Sequence, residues 1–70
     1  MTLARILDLY NRGIMTWKEA FDALVEHVAN LLRSGHISTS EAAACEKQVV
    51  RWYDGEISSL TLERYVGMII

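Results

Sequence analysis

The sequence predicts an all-α fold, a compact bundle of four short helices, on three observations. The 70 residues include no proline and four glycines, so few positions interrupt a helix. Strong helix formers such as Ala, Leu, Glu and Arg are frequent. A four-residue pattern of glycine, any residue, Ile or Met, then Ser or Thr also occurs three times. It reads Gly13-Ile14-Met15-Thr16, Gly35-His36-Ile37-Ser38 and Gly55-Glu56-Ile57-Ser58.

The pattern has the chemistry of a joint between helices. Its glycine suits the position just past a helix end, where the backbone turns left-handed and a Cβ is costly. Its hydroxyl residue suits the N-cap of the next helix, where the side-chain oxygen accepts a hydrogen bond from a free backbone N–H. Twice a glutamate three residues on completes a capping box, Glu19 with Thr16 and Glu41 with Ser38. The apolar residue before each cap (Met15, Ile37, Ile57) is placed to pack on the fourth residue of the next helix, Ala20, Ala42 or Leu62.

Four helices follow, at 2–12, 17–34, 39–54 and 59–69. In the first, Leu3, Ile6, Leu7 and Tyr10 recur at helical spacing and leave Arg5, Asp8 and Arg12 outside. The second carries the stripe Trp17, Phe21, Leu24, Val28 and Leu31, widened by Ala20, Val25 and Leu32. The third aligns Ala42, Cys45, Val49 and Trp52, with a second apolar line through Ala43, Val50 and Tyr53. The fourth offers Leu62, Tyr65, Val66 and Ile69. Its β-branched and aromatic content, with Gly67 costing a helix about 1 kcal/mol relative to alanine, leaves a short strand or irregular tail as the alternative there. The helix interiors do not match one another, so the joints repeat and the units do not; a solenoid is not implied.

Composition narrows the function. At 51% apolar residues the chain has ample material for a folded core. A chain of this length buries only about 60% of its unfolded surface, so the single domain 1–70 needs a dense core or one shared with a partner. The net charge is −2, and the seven basic residues are scattered at Arg5, Arg12, Lys18, Arg33, Lys47, Arg51 and Arg64. That is a poor electrostatic start for binding a phosphate backbone. The lone Cys45 forms no internal disulfide, which suits a reducing compartment. There is no charged-then-apolar leader pattern and no apolar run near the roughly 20 residues that span a bilayer. A soluble, cytoplasmic protein is expected.

Catalytic groups are not assembled by the spacing. Cys45 continues the apolar line of the third helix and reads as a small core residue. His27 lies mid-helix and His36 in a joint, at spacings that make neither a zinc site nor a Cys–His dyad. No catalytic, metal or cofactor residue is assigned, and a non-enzymatic protein without cofactors is expected.

Two stretches have the composition of contact surfaces. Glu19, Asp22 and Glu26 share one outward stripe of the second helix, able to face a basic patch on another protein or simply water, with Lys18 balancing Asp22 at i+4. In Arg51-Trp52-Tyr53, Trp52 follows the core line, whereas Arg51 and Tyr53 have the chemistry of binding anchors. Partner-binding residues are therefore expected to be Glu19, Asp22, Glu26, Arg51 and Tyr53. The two apolar lines of the third helix exceed what one small core covers, which predicts a homodimer.

Residues 6–24, ILDLYNRGIMTWKEAFDAL, resemble the first two helices of DNA-binding helix-turn-helix units in their glycine-containing turn and hydroxyl-started second helix. That resemblance implies a transcriptional regulator. A DNA reader of this kind needs another turn soon after Leu24 and then a polar, basic recognition helix, whereas here the helical pattern runs on to Gly35. The leading expectation is a small regulator or inhibitor of the sort encoded by phages and mobile elements, acting on a larger protein. A DNA-binding regulator and a self-assembling structural subunit are the alternatives.

Overall fold

A computed structural model of the protein describes residues 2–69. It contains α1 (Leu3–Asn11), α2 (Trp17–Arg33), α3 (Thr39–Tyr53) and α4 (Ser59–Ile69), with no strand among the described residues. The all-α bundle is as the sequence predicts, with boundaries shifted by no more than a residue. Residues 59–69 are helical despite their composition. Leu62 and Val66 are buried against the other helices, and that packing outweighs a propensity difference of a few tenths of a kcal/mol per residue.

The three joints are built alike. Gly13, Gly35 and Gly55 have φ of +77°, +79° and +81°, the left-handed region in which L-residues other than glycine are strained. At the middle joint the Gly35 N–H donates to the Leu32 carbonyl (3.1 Å) and the His36 N–H to the Leu31 carbonyl (3.0 Å). These are the paired bonds of a Schellman motif, which satisfy carbonyls that the helix end would otherwise leave bare. The other two joints repeat them, with Gly13 to Tyr10 and Ile14 to Leu9, then Gly55 to Trp52 and Glu56 to Arg51.

Each following helix is capped by the expected hydroxyl. Ser38 Oγ accepts from the Glu41 N–H (3.1 Å), and Glu41 Oε1 accepts from the Ser38 N–H (2.8 Å). Thr16 and Glu19 do the same at 3.2 and 2.9 Å. At the third joint Ser58 accepts from the Thr61 N–H at 3.2 Å, and the Thr61 hydroxyl stands where the other joints have a carboxylate. Of the stapling residues, Ile37 is buried, while Met15 and Ile57 are half-buried against the core.

The core lies along the bundle axis, with Ile6 and Leu7 from α1, Ala20, Leu24 and Val28 from α2, Cys45, Val49 and Trp52 from α3, and Leu62 and Val66 from α4. Backbone neighbours follow chain order, α1 on α2, α2 on α3 and α3 on α4, and a slighter α4–α1 seam closes the ring. Side chains cross it at one end: Tyr10 meets Trp52 edge-on, with ring centroids 5.3 Å apart. The Trp52 indole N–H is satisfied by Ser59 Oγ at 3.0 Å, so its burial leaves no orphan donor.

Three residues placed on the core stripes by periodicity are not in the core, among them Leu32, which widened the stripe of α2 and is exposed near its C-terminal end. Trp17 is 47% exposed and Tyr65 is 36% exposed. Trp17 is the first residue of α2, at the end of the bundle, where no preceding helical turn covers it. Tyr65 lies on α4, which has backbone neighbours only in α3 and α1.

Candidate functional site: an aromatic cluster beside an acidic helix face

The outward side of α2 and the last turn of α3 supply the candidate site. The two helices pack antiparallel, so the start of α2 lies beside the end of α3. There the Tyr53 ring is tilted on Phe21 with centroids 4.4 Å apart, and on Trp17 at 5.3 Å. Lys18 Nζ stands 5.5 Å from the Phe21 centroid and bonds Asp22 at 2.8 Å. That hydrogen bond raises the Lys18 pKa above its ordinary value. Val50, one turn before Tyr53, is also exposed, at 42%.

All three carboxylates of the predicted stripe are exposed, and each has a local partner. Glu19 closes the capping box, and the donors of Thr16, its backbone N–H first, hold the Glu19 pKa below the usual glutamate value. Asp22 pairs with Lys18, and Glu26 with Arg33 at 3.0 Å. Arg33 also bonds the Asn30 side chain. Exposed pairs of this kind contribute little to stability and leave the face available for contact.

The structure brings some of the predicted site residues together and leaves one apart. Tyr53 joins α2 through its contacts with Phe21 and Trp17. Arg51 does not: its guanidinium bonds Gln48 at 3.0 Å, and no ion pair among the described residues links it to Glu19, Asp22 or Glu26. Trp17 is the residue that periodicity assigned to the core and that the structure places in the cluster. Its position directly after the Thr16 cap carried the signal, since a first-turn side chain has no earlier turn above it.

The nucleophile candidate has the opposite of an activated environment. Cys45 is fully buried, and burial, with Glu41 adding, pushes its thiol pKa up, away from the thiolate that reacts. His27 is half-buried and its pKa is lowered by desolvation, while His36 is exposed with Nδ1 2.7 Å from Ser34 Oγ. An open apolar groove of about 400 Å3 runs between α1, α2 and α4, lined by Leu3, Ala4, His27, Leu31, Glu63 and Val66 among others. Among the described residues no His/Cys/Asp/Glu group is placed to hold a metal ion, and no helix is long and apolar enough to cross a membrane. The helix containing the end of the helix-turn-helix resemblance continues unbroken from Trp17 to Arg33.

What fold and site define is a four-helix bundle with a half-exposed aromatic cluster at the margin of an acidic helix face. Compared with protein-family models, curated proteins and solved structures, the chain matches none at a significant level.

Proposed function

We propose that the protein is a non-enzymatic interaction protein, one that binds a larger protein through the aromatic cluster and the outer face of α2 and so modulates or inhibits it. The observation that supports this reading is the state of Trp17. A tryptophan 47% open to water is held in place by Tyr53, which Phe21 in turn supports. Such an anchor loses little side-chain freedom on binding, which is what makes rigid aromatics effective in interfaces. Glu19, Asp22 and Glu26 beside it favour a partner whose apolar pocket has a basic rim, and they would speed association more than tighten it. Arg51, half-buried and bonded to Gln48, is a margin contact in this arrangement.

The experiment is capture of a partner from lysate by immobilised parent protein, repeated with Trp17→Ala, Tyr53→Ala and Asp22→Lys/Glu26→Lys. Each aromatic truncation should cost at least about 1 kcal/mol of affinity with helical circular dichroism unchanged. The charge reversal should chiefly slow association, and more so at low salt. Retention of parental binding by all three variants would place the partner surface elsewhere.

A further inference from the structure

The outer face of α3 has no neighbour in the bundle and carries its own pattern. Ala43, Lys47, Val50 and Asp54 stand at spacings of four, three and four residues, which places them on one stripe of the helix. All four are exposed. Val50 is 42% open to water, although a β-branched residue gains nothing from an exposed helical position. Lys47 and Asp54 enter none of the ion pairs among the described residues, whereas all eight Lys, Arg, Asp and Glu side chains of α1, α2 and their C-caps are ion-paired or, for Glu19, bonded in the capping box.

We infer that this stripe is the contact of a two-fold symmetric dimer, in which α3 of one copy lies antiparallel on α3 of a second copy with the axis beside Val50. The charges select that occupant and that register. Lys47 and Asp54 are seven residues apart, about 10.5 Å along the helix, and fall on opposite sides of a point between Val50 and Arg51. They also lie on the same side of the stripe. A two-fold axis through that point, perpendicular to the helix, sets Lys47 against Asp54 of the second copy and Asp54 against its Lys47. Both unpaired charges gain a partner in one operation, as an isologous contact requires. Val50 meets its own counterpart at the centre. A slip of one helical turn would set Lys47 against Val50 and Asp54 against Ala43, leaving both charges unanswered and costing apolar contact.

Val50 lies one turn from Tyr53, so this contact adjoins the aromatic cluster, while the acidic residues of α2 are not part of it. The dimer stands independently of the proposed function and would hold if that reading failed. One helix pair is a small contact, at the weak end of specific interfaces.

Sedimentation equilibrium of the parent chain, with two charge reversals and their combination, tests the arrangement. The parent should rise from 8.0 kDa toward twice that mass as concentration increases to roughly 0.5 mM, in keeping with a small interface. Val50→Asp, at an exposed position, should keep its helical spectrum and remain monomeric. Lys47→Asp alone and Asp54→Lys alone should each weaken the dimer at least tenfold by opposing like charges. The double variant, Lys47→Asp/Asp54→Lys, should restore parental association. A parent that stays monomeric across the range overturns the inference. So does a dimer indifferent to Val50→Asp, or single reversals that the double variant fails to rescue.

Discussion

Replacing Gly35 by alanine and Gly67 by alanine should change stability in opposite directions. An ideal Cβ built at either glycine meets nothing within 4 Å, so neither substitution adds a clash and the backbone alone decides the sign. Gly35 sits at φ +79°, where a residue with a Cβ costs roughly 1–2 kcal/mol. Alanine also restricts the unfolded chain, returning about 0.4–1 kcal/mol. The expected net loss is about 1 kcal/mol, larger for Gly35→Val because of its branched Cβ and smaller for Gly35→Asn, which tolerates this region. Gly67 lies inside α4 with an ordinary helical backbone, where alanine gains up to about 1 kcal/mol. For a chain of this size, whose whole stability is on the order of 4–10 kcal/mol, each change moves the melting temperature by roughly 4–8 °C. Urea denaturation followed by helical circular dichroism, at one protein concentration for all variants, reads the differences directly. If Gly35→Ala matched or exceeded the parent, or Gly67→Ala fell below it, the account of the joints would be wrong.

Two further outcomes are expected. Ser38→Ala removes the acceptor for the Glu41 N–H and breaks the reciprocal box, which should lower stability by about 1 kcal/mol in the same assay. Ser38→Asp, which keeps an N-cap acceptor, should recover most of that. His27 has a folded-state pKa below its ordinary value of 6.5 because burial disfavours its charged form. The unfolded chain therefore binds the proton more readily, and stability is full above about pH 6.5 and declines as pH falls through that value toward the lower folded pKa. The loss should vanish in His27→Gln, and it is separate from the decline below about pH 4.5 expected of Glu19, whose folded pKa is held low. Denaturation midpoints at pH 7.5 and 5.5 that coincide for the parent would contradict the burial of His27.

The joints were legible in the sequence because each is specified by residues within a few positions of one another. Gly35, Ser38 and Glu41 each have one backbone or side-chain task, and the three occur in the order the tasks require. The core lines of α1 and α3 were legible for a related reason, since period 3.6 fixes direction around a helix. Period does not fix depth along the bundle, which is why Trp17 lay on the core line and yet stands half in water. Nor does it say which faces neighbouring helices cover. Tyr53 belongs to the second apolar line of α3, and only the antiparallel packing of α2 shows that Phe21 covers it while Val50, one turn earlier, stays open. Arg51 beside Tyr53 in sequence points around the helix from it, and adjacency in the chain was no guide to adjacency on the surface. In α4, composition weighed against a helix, and burial of Leu62 and Val66 decided for one.

The order in which the helices adjoin has a kinetic consequence. Three of the four backbone contacts join helices that the chain presents consecutively, and the fourth, between α1 and α4, is the slightest. Each consecutive pair needs only a short loop to close, at small entropic cost, so the bundle belongs with topologies that fold in microseconds to milliseconds. The α1–α4 seam closes the longest loop for the least contact, and it is where the folded state opens most readily. Amides of α1 and of the last turns of α4 should then exchange with solvent sooner than those of Leu24, Val28 and Val49, whose release requires the whole bundle to come apart.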